Sequence, residues 1–410
     1  MSHACRIRVL AFAALAMTTA LVSGLAPGVA ASASQDGLHQ ARLPAHRGAV
    51  VTAAVFYNWA QFRFAPDHVA VNPGANGLTA STVHGLKKLW SFPTRSFESS
   101  SPAVQGKTVY IGSPNGQGDL FALNATTGKK IWSHFISKRG VDSSPAVANG
   151  IVYVGSESDN PGVLALRAST GKKVWGFKTA KGVAASPAVF DHVVYIDGQG
   201  GDLYALKASS GKKLWSFAAG GDLVSSPAVA GRMVYLGGGK DRIYAVSAAT
   251  GKLKWSARTT AGTFSSPAVT GGVLYEGSSF WLYALNARTG KQLWKYATGS
   301  AISSSPAVAG GIVYVGSEDD RVYALNAKTG KKLWSHLTHG AVQSSPAVAG
   351  GVVYVGSQDG FLYALSAKTG KQLWSYRTGL GVYSSPAVSD GVVYVGSDIG
   401  KVYAFGLRRA

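Results

Sequence analysis

The chain has 410 residues and a formal net charge of +21. Its single cysteine, Cys5, lies near the N-terminus, which excludes a disulfide within the rest of the chain. This length normally indicates two or three domains, unless one unit repeats along the chain.

The first residues have the three-part pattern of a secretory signal peptide. Arg6 and Arg8 precede an apolar run from Val9 to about Val22, and small residues follow as far as Ala33. We therefore expect a signal peptide over residues 1–33, cleavage near Ala33, and a secreted or cell-envelope location, extracellular or periplasmic. No later segment approaches the ~20 apolar residues of a membrane span.

Eight copies of one tetrapeptide divide the rest of the chain into similar units, spaced by 39 to 43 residues. The Ser-Pro-Ala-Val copies begin at Ser101, Ser144, Ser186, Ser226, Ser266, Ser305, Ser345 and Ser385. A period of about 40 residues is typical of propeller blades and also of helical solenoids. The secondary structure within each unit decides between them.

Short strands fill each unit. In one unit they are indicated by the runs Val352–Ser357, Phe361–Leu365 and Thr369–Trp374. Aliphatic and aromatic runs separated by Asp-Gly, Gly-Gly and Thr-Gly-Lys are typical of antiparallel hairpins, and no useful helical periodicity is present. The sequence predicts an all-β, eight-bladed β-propeller with four antiparallel strands per blade.

The positions of eight tryptophans indicate how the ring closes. They recur once per unit and are predicted to dock on the neighbouring blade, at Trp90, Trp132, Trp175, Trp215, Trp255, Trp294, Trp334 and Trp374. The first precedes the first tetrapeptide, and none follows the last unit, which ends near Phe405. We therefore expect Leu86–Phe92 to supply the outer strand of the last blade and remove an open sheet edge.

This organisation predicts four regions. Residues 1–33 form the signal peptide, 34–57 a flexible lead-in, 58–85 an opening segment that packs on the propeller, and 86–406 the propeller itself. Each repeat proline is placed at the start of an innermost strand. Because proline lacks an N–H group, we expect the inner edge of that strand to face the central axis without a partner.

One motif resembles a known family. The run Asn326–Trp334, which recurs in seven of the eight units, resembles the tryptophan-docking motif of the pyrroloquinoline-quinone (PQQ) repeat, and Asn58–Arg63 is similar to the usual opening of such exported propellers. The resemblance covers about residues 58 to 406. It implies either a quinoprotein dehydrogenase, with quinone and calcium on the axis, or a polypeptide-binding propeller like the component of outer-membrane-protein assembly. The vicinal cysteines and long insertions usual in those dehydrogenases are missing from this sequence.

Positions where one unit departs from the others indicate a candidate site. Three residues before each repeat proline lies a variable column expected at the channel mouth: Ser99, Asp142, Ala184, Val224, Phe264, Ser303, Gln343 and Tyr383. In the fifth unit Glu276 replaces an aliphatic residue, and Phe280 and Trp281 replace a polar turn. The candidate partner-binding residues are Asp142, Phe264, Phe280, Trp281, Gln343 and Tyr383. Phe280 and Trp281 have an alternative interpretation as packing residues between blades.

No catalytic or metal-binding residue is predicted. His134 and His336 fall in an aromatic packing column, and His339 has no carboxylate or nucleophile at a defined spacing. The turn residues Asp241, Asp320, Asp359 and Asp398 are explained first by tight-turn chemistry, and no EF-hand, zinc or phosphate-binding pattern is found. No cofactor is expected, and PQQ with calcium is not supported by specific residues.

Lysines of the Thr-Gly-Lys turns supply much of the positive charge and are expected on one face. They are Lys129, Lys130, Lys172, Lys173, Lys212, Lys213, Lys252, Lys254, Lys291, Lys331, Lys332 and Lys371. They either keep the face soluble or attract anionic polymers. Nucleic acid is not an expected partner of an exported protein.

Three functions remain open from the sequence. The leading hypothesis is an exported, monomeric, non-enzymatic scaffold that binds a protein, peptide or cell-envelope polymer through the candidate residues. One alternative is a PQQ-dependent dehydrogenase of alcohols or sugars, and the other is a binder of anionic polysaccharide through the lysine face.

Overall fold

A computed structural model describes residues 58–74, 76–94, 99–113, 118–158, 160–223, 225–238 and 240–407. The predicted signal peptide and lead-in lie outside these ranges. The described residues form eight antiparallel four-stranded sheets, one of which gains a short fifth strand. The prediction of an all-β, eight-bladed propeller is confirmed. No helix in the described ranges is long and apolar enough to cross a membrane.

The first four blades follow one another along the chain, and the strands of each are given from the axis outwards. Blade 1 comprises Ala103–Gln105, Thr108–Gly112, Asp119–Asn124 and Lys130–Phe135. Blade 2 comprises Ala146–Ala148, Ile151–Gly155, Val163–Arg167 and Lys173–Phe177. Blade 3 comprises Ala188–Phe190, Val193–Asp197, Asp202–Lys207 and Lys213–Ala218. Blade 4 comprises Ala228–Ala230, Met233–Gly238, Arg242–Ser247 and Leu253–Arg258.

The last four blades have the same order of strands. Blade 5 comprises Ala268–Thr270, Val273–Ser278, Trp281–Asn286 and Gln292–Ala297. Blade 6 comprises Ala307–Ala309, Ile312–Ser317, Arg321–Asn326 and Lys332–Leu337. Blade 7 comprises Ala347–Ala349, Val352–Gly356, Phe361–Ser366 and Gln372–Arg377. Blade 8 takes Ala387–Ser389, Val392–Ser397 and Lys401–Gly406 from the end of the chain.

The outer strand of blade 8 comes from the opposite end of the described chain. Lys87–Pro93 pairs antiparallel with Lys401–Gly406, after a short 3₁₀ helix at Val83–Gly85. This confirms the predicted closure of the ring by an N-terminal strand. The strand removes the open edge that the third strand of blade 8 would otherwise expose.

Two sets of hydrogen bonds join the blades. The backbone N–H of each repeat serine donates to the hydroxyl of the next repeat serine at 2.9–3.0 Å, and the eighth bond, from Ser385 to Ser101, closes the circle. Each docking tryptophan also donates from its indole N–H to a backbone carbonyl at the third-to-outer turn of the next blade. Trp374 donates instead to Leu86 O, at the closure.

The antiparallel order of the strands gives the propeller two distinct faces. Turns between inner and second strands, and between third and outer strands, lie at one face, which we call the turn face. Turns between second and third strands, and the connections that lead into each inner strand, lie at the other, which we call the loop face. The lysine turns are therefore all on the turn face, and the variable column is on the loop face.

The central axis is occupied by the chain itself. Residues 58–72, here called the axial segment, make one circuit around the inner strands and pass blades 1 to 8 in order. The N–H groups of Val104, Val147, Val229, Val269, Val308 and Val348 donate to backbone carbonyls of this segment, and that of Val189 donates to Gln61 Oε1. At blade 8, Asn72 Nδ2 donates to Val388 O at 2.7 Å.

The expectation of an unpaired inner edge is wrong. Val71–Asn72 even adds a parallel strand to the inner strand of blade 7. The repeat proline is tolerated because no donor is needed at its position on the inner edge. The next N–H group on that edge belongs to the repeat valine, and it donates to the axial segment. The sequence concealed this pairing because the axial segment has no repeat of its own.

Candidate functional site

Arg63 forms the floor of the channel beneath the loop face. Its side chain is only 2% exposed; Nε donates to His68 O at 3.1 Å and Nη2 donates to Pro306 O. Burial lowers the Arg63 pKa to about 9, although the nearby Asp67 partly offsets this. The guanidinium therefore ties two distant parts of the channel wall together, at the cost of burying a charge.

His68 completes this floor. Its Nδ1 lies 3.2 Å from Pro267 O, and its ring packs edge-on against Phe62. Burial and the neighbouring Arg63 charge lower the His68 pKa to about 3, so the imidazole is neutral near pH 7. A neutral imidazole whose Nδ1–H donates to a carbonyl holds the axial segment in place.

A first polar cluster lies on the loop face between blades 1 and 3. Ser99 Oγ donates to Asp142 Oδ1 at 2.7 Å, and Gln199 Nε2 donates to Glu157 Oε2 at 3.2 Å. Burial and the Asp142 charge both raise the Glu157 pKa. The carboxylates of Asp142 and Glu157 together create a local negative potential, and a cation bound there would relieve their repulsion.

A second polar cluster lies across the ring, at blades 6 to 8. Glu318 Oε1 accepts hydrogen bonds from Ser303 Oγ at 2.7 Å and from Gln343 Nε2 at 2.8 Å. Burial first, and then the Asp398 and Glu318 charges, raise the pKa of the Tyr383 hydroxyl, so Tyr383 shares this negative surrounding. Of the predicted site residues, the structure thus brings Gln343 and Tyr383 to one cluster and Asp142 to the other.

The remaining predicted residues are aromatic and belong to the connection and turn of blade 5. Phe264 is 68% exposed. Phe280 and Trp281 contact each other with ring centroids 5.3 Å apart, and Lys295 Nζ lies 4.0 Å from the Trp281 ring centre. Trp281 also packs against the core between blades 4 and 5, whereas Phe280 is exposed. Phe264 and Phe280 are thus the parts of this group that are open to a partner.

Glu276 is buried rather than part of the mouth. It faces blade 4, where a methyl group added to Gly237 would lie 1.9 Å from Glu276 Oε1 and 2.0 Å from Thr263 Oγ1. Burial raises the Glu276 pKa well above its ordinary value, and the Asp197 charge adds to this. Asp197 is also fully buried on the other side of blade 4, and neither of its oxygens has a hydrogen-bond partner among the described residues.

Sequence reasoning missed the carboxylates that organise the mouth. Glu157, Gln199, Glu318 and Asp398 share one position, the second residue after the second-strand glycine or its Asp197 counterpart. This column can be seen when the eight repeats are aligned with one another, but a polar residue at this position is also ordinary turn chemistry. A column that is polar in several blades and adjoins the variable column was the available signal.

Known proteins with the same repeat agree with this architecture. The family model described as outer membrane protein assembly factor BamB, a PQQ-repeat model, matches residues 44–162, 159–301 and 278–409. The chain belongs to this PQQ-repeat family. Among curated proteins, it is 37% identical over 62 residues to the tetrathionate hydrolase of Acidithiobacillus ferrooxidans, but this match covers 15% of the chain and 12% of that relative.

Solved structures show the same fold. The chain is similar to a europium-containing methanol dehydrogenase, with a TM-score of 0.73 and 17% identity over 85% of this chain and 98% of that one. BamB from Moraxella catarrhalis gives a TM-score of 0.67 and 21% identity, over 79% and 98% of the two chains. Quinohemoprotein alcohol dehydrogenase from Comamonas testosteroni gives a TM-score of 0.74 and 18% identity, over 86% of this chain and 81% of that one. These identities establish the fold alone.

The residues of the mouth do not match what a quinone cofactor with calcium would require. PQQ carries three carboxylates, which the carboxylates of Asp142, Glu157 and Glu318 would repel. Calcium takes six to eight oxygen ligands at about 2.3–2.6 Å. Within the described ranges, no three His, Cys, Asp or Glu side chains converge as they would on a metal ion.

Proposed function

We propose that this PQQ-repeat propeller is a non-enzymatic scaffold whose loop face binds a polypeptide segment rich in basic residues. An exported location, inferred from residues 1–33, is part of this proposal. The main support for this proposal is the pair of polar clusters on the loop face. In these clusters the half-buried carboxylates of Asp142, Glu157 and Glu318 lie around the mouth of the channel, above Arg63 and His68.

Exposed aromatic side chains on the same face as these carboxylates support the same ligand. Phe264 is 68% and Tyr383 38% exposed, which is unusual for large rings without a partner. Aromatic residues supply contact area at low entropic cost and are frequent at the centres of protein interfaces. A segment that alternates lysine or arginine with apolar residues would satisfy both the carboxylates and the rings.

The dehydrogenase alternative has weaker support, because both polar clusters of the mouth are organised around carboxylates, which would repel those of the quinone. Titration of the protein with PQQ and calcium, followed by an artificial-electron-acceptor assay on alcohols and sugars, separates the two functions. Tight binding with turnover would contradict the scaffold proposal.

The direct test is calorimetric titration with a short peptide rich in lysine and tyrosine, compared with the same peptide carrying glutamate for lysine. We expect the lysine peptide to bind at least about tenfold more tightly, with an affinity that falls with salt because the carboxylates are partly exposed. Changing Glu318→Gln together with Asp142→Asn should lower the affinity about tenfold, which corresponds to about 1.4 kcal/mol.

A second variant tests the aromatic contribution. We expect Tyr383→Ala combined with Phe264→Ala to abolish capture while leaving the fold intact, because both rings are exposed. Phe190→Ala and Asp191→Asn provide matched controls, because they remove an exposed ring and a carboxylate from the turn face. If capture survives in the loop-face variants, or is lost in the controls, the binding surface lies elsewhere.

A further inference from the structure

A single repeat position accounts for six of the fourteen large apolar side chains that are exposed in the described residues. These six directly precede a docking tryptophan and are 41–50% exposed: Leu89, Ile131, Val174, Leu214, Leu293 and Leu333. In blade 4 this position holds Lys254, and the exposed Leu253 lies one residue earlier. Leu373 holds the eighth position and is half-buried. Isolated exposed apolar residues need no explanation, but a ring of them on one rim does.

A local irregularity of the outer strand keeps these side chains outside the core. The pairing of third and outer strands shifts register at this position, for example between Ala205 and Leu206 opposite Leu214. The bulged residue has no direct partner on the third strand, and the tryptophan that follows it is the one that docks. An exposed aliphatic side chain is therefore presented at the rim of the turn face in six blades, while blade 4 has Lys254 at this position.

Lysines surround each of these aliphatic residues. Every one of the twelve lysines expected on this face is exposed, and Leu253 is flanked directly by Lys252 and Lys254. The seven described third-to-outer turns contain no acidic residue, and the inner-to-second turns contain only Asp191 and Asp390. Most described carboxylates are instead on the loop face, where cations such as Arg139 and Lys181 accompany them, so the turn face carries the excess of positive charge.

A groove between two blades connects two of the aliphatic positions. It lies between blades 1 and 2, has a volume of about 530 Å³ and is lined by Ile131 and Val174 from neighbouring blades together with Arg167. It opens among the turn-face residues Asn149 and Ser169, away from the channel mouth. The turn face thus combines exposed aliphatic side chains and an apolar groove with surrounding lysines.

We propose that the turn face docks on the surface of an anionic lipid bilayer. Lysine side chains would place their ammonium groups among the headgroups, and the aliphatic side chains would enter the boundary with the acyl chains. A soluble anionic polysaccharide would use the lysines but would leave the aliphatic ring unexplained. Each contact is weak alone, and several copies on one face bind together with a much larger effective affinity.

Sedimentation with vesicles tests this proposal on the whole chain. We expect binding to an equal mixture of phosphatidylcholine and phosphatidylglycerol, and at least about tenfold weaker binding to phosphatidylcholine alone. The variant with Lys291→Gln, Lys331→Gln and Lys332→Gln should bind the anionic vesicles about tenfold more weakly. The variant with Leu214→Ser, Leu293→Ser and Leu333→Ser should show a similar loss with every lysine retained.

Matched changes on the opposite face serve as the control. Leu380→Ser with Lys181→Gln removes an exposed aliphatic side chain and a lysine from the loop face, and this variant should bind vesicles like the parent. Unchanged thermal unfolding of all three variants would show that the ring is intact. Unchanged vesicle binding by the leucine variant, together with displacement by a soluble sulfated polysaccharide, would overturn the proposal in favour of a polymer-binding face.

Discussion

The loop face and the turn face are built from the same repeat, yet they differ in how strictly they follow it. On the turn face, lysines and aliphatic residues recur in blade after blade. On the loop face, the residue two places before each repeat serine changes from Asp142 to Phe264 to Tyr383. This difference separates two kinds of surface: one suited to a broad, repetitive partner, and one suited to a particular ligand at a particular position.

Opening the ring should have the largest effect on both faces. A chain that begins at residue 95 lacks the axial segment and the closing strand Lys87–Pro93, so blade 8 is left with an open edge. We expect loss of cooperative thermal unfolding and aggregation in size-exclusion chromatography. A chain beginning at residue 58 retains every contact described above and should unfold as the full chain does. A folded, monomeric 95–410 chain would show that closure is dispensable.

Removing the floor of the channel should affect the loop face more than the turn face. Arg63→Ala leaves the carbonyls of His68 and Pro306 without their donor and creates a cavity on the axis. We expect the free energy of unfolding to fall by about 3 kcal/mol in urea denaturation, because the loss combines unsatisfied buried groups with lost packing. Peptide capture should weaken while vesicle binding is retained. Equal losses at both faces would indicate that Arg63 supports the whole ring.

The buried carboxyl of blade 5 offers a smaller effect with a defined pH dependence. The Glu276 pKa is raised in the folded protein, so the unfolded chain ionises first as pH increases. The protonated Glu276 carboxyl therefore contributes fully to stability below about pH 4.5. This contribution is lost progressively as the pH rises from there to the pKa of Glu276 in the folded protein.

Restoring the repeat at this position removes that dependence. Glu276→Val should raise the free energy of unfolding at about pH 7 by about 2 kcal/mol and flatten its decrease between about pH 5 and 7. The double variant Glu276→Val with Thr263→Val tests the contribution of the neighbouring Thr263 hydroxyl, since Thr263 also stands where most other blades have an aliphatic residue. Binding at either face should not change. An unaltered pH profile in urea titrations would show that another group, such as Asp197, controls it.

The ring could be predicted from the sequence because its determinants repeat. Eight tetrapeptides with eight displaced tryptophans indicated both the number of blades and the closing strand near Leu86. The axial segment could not be predicted in the same way, because Arg63 and Asn72 meet residues more than two hundred positions away and belong to no repeat. Its inner-strand pairing was therefore mistaken for a free edge.

The candidate site was predicted only in part. Asp142, Gln343 and Tyr383 were found because they vary in a column whose neighbours do not. Glu318 and Glu157 were missed because a carboxylate after a glycine is also ordinary turn chemistry, and only folding shows that Glu318 meets Gln343 from the next blade. Glu276 was noticed as an outlier, but its orientation into the interface with blade 4 depends on Gly237 leaving the space.

The axial segment has a consequence for how such a chain can change in evolution. Its successive residues provide one partner for each blade, from Trp59 at blade 1 to Asn72 at blade 8. Tandem repeats are readily duplicated or lost, yet a seventh or ninth unit would put this segment out of step with every blade after the change. Fifteen residues without any periodicity thus act as a template for ring size, and they oppose the copy-number drift that the repeats themselves invite.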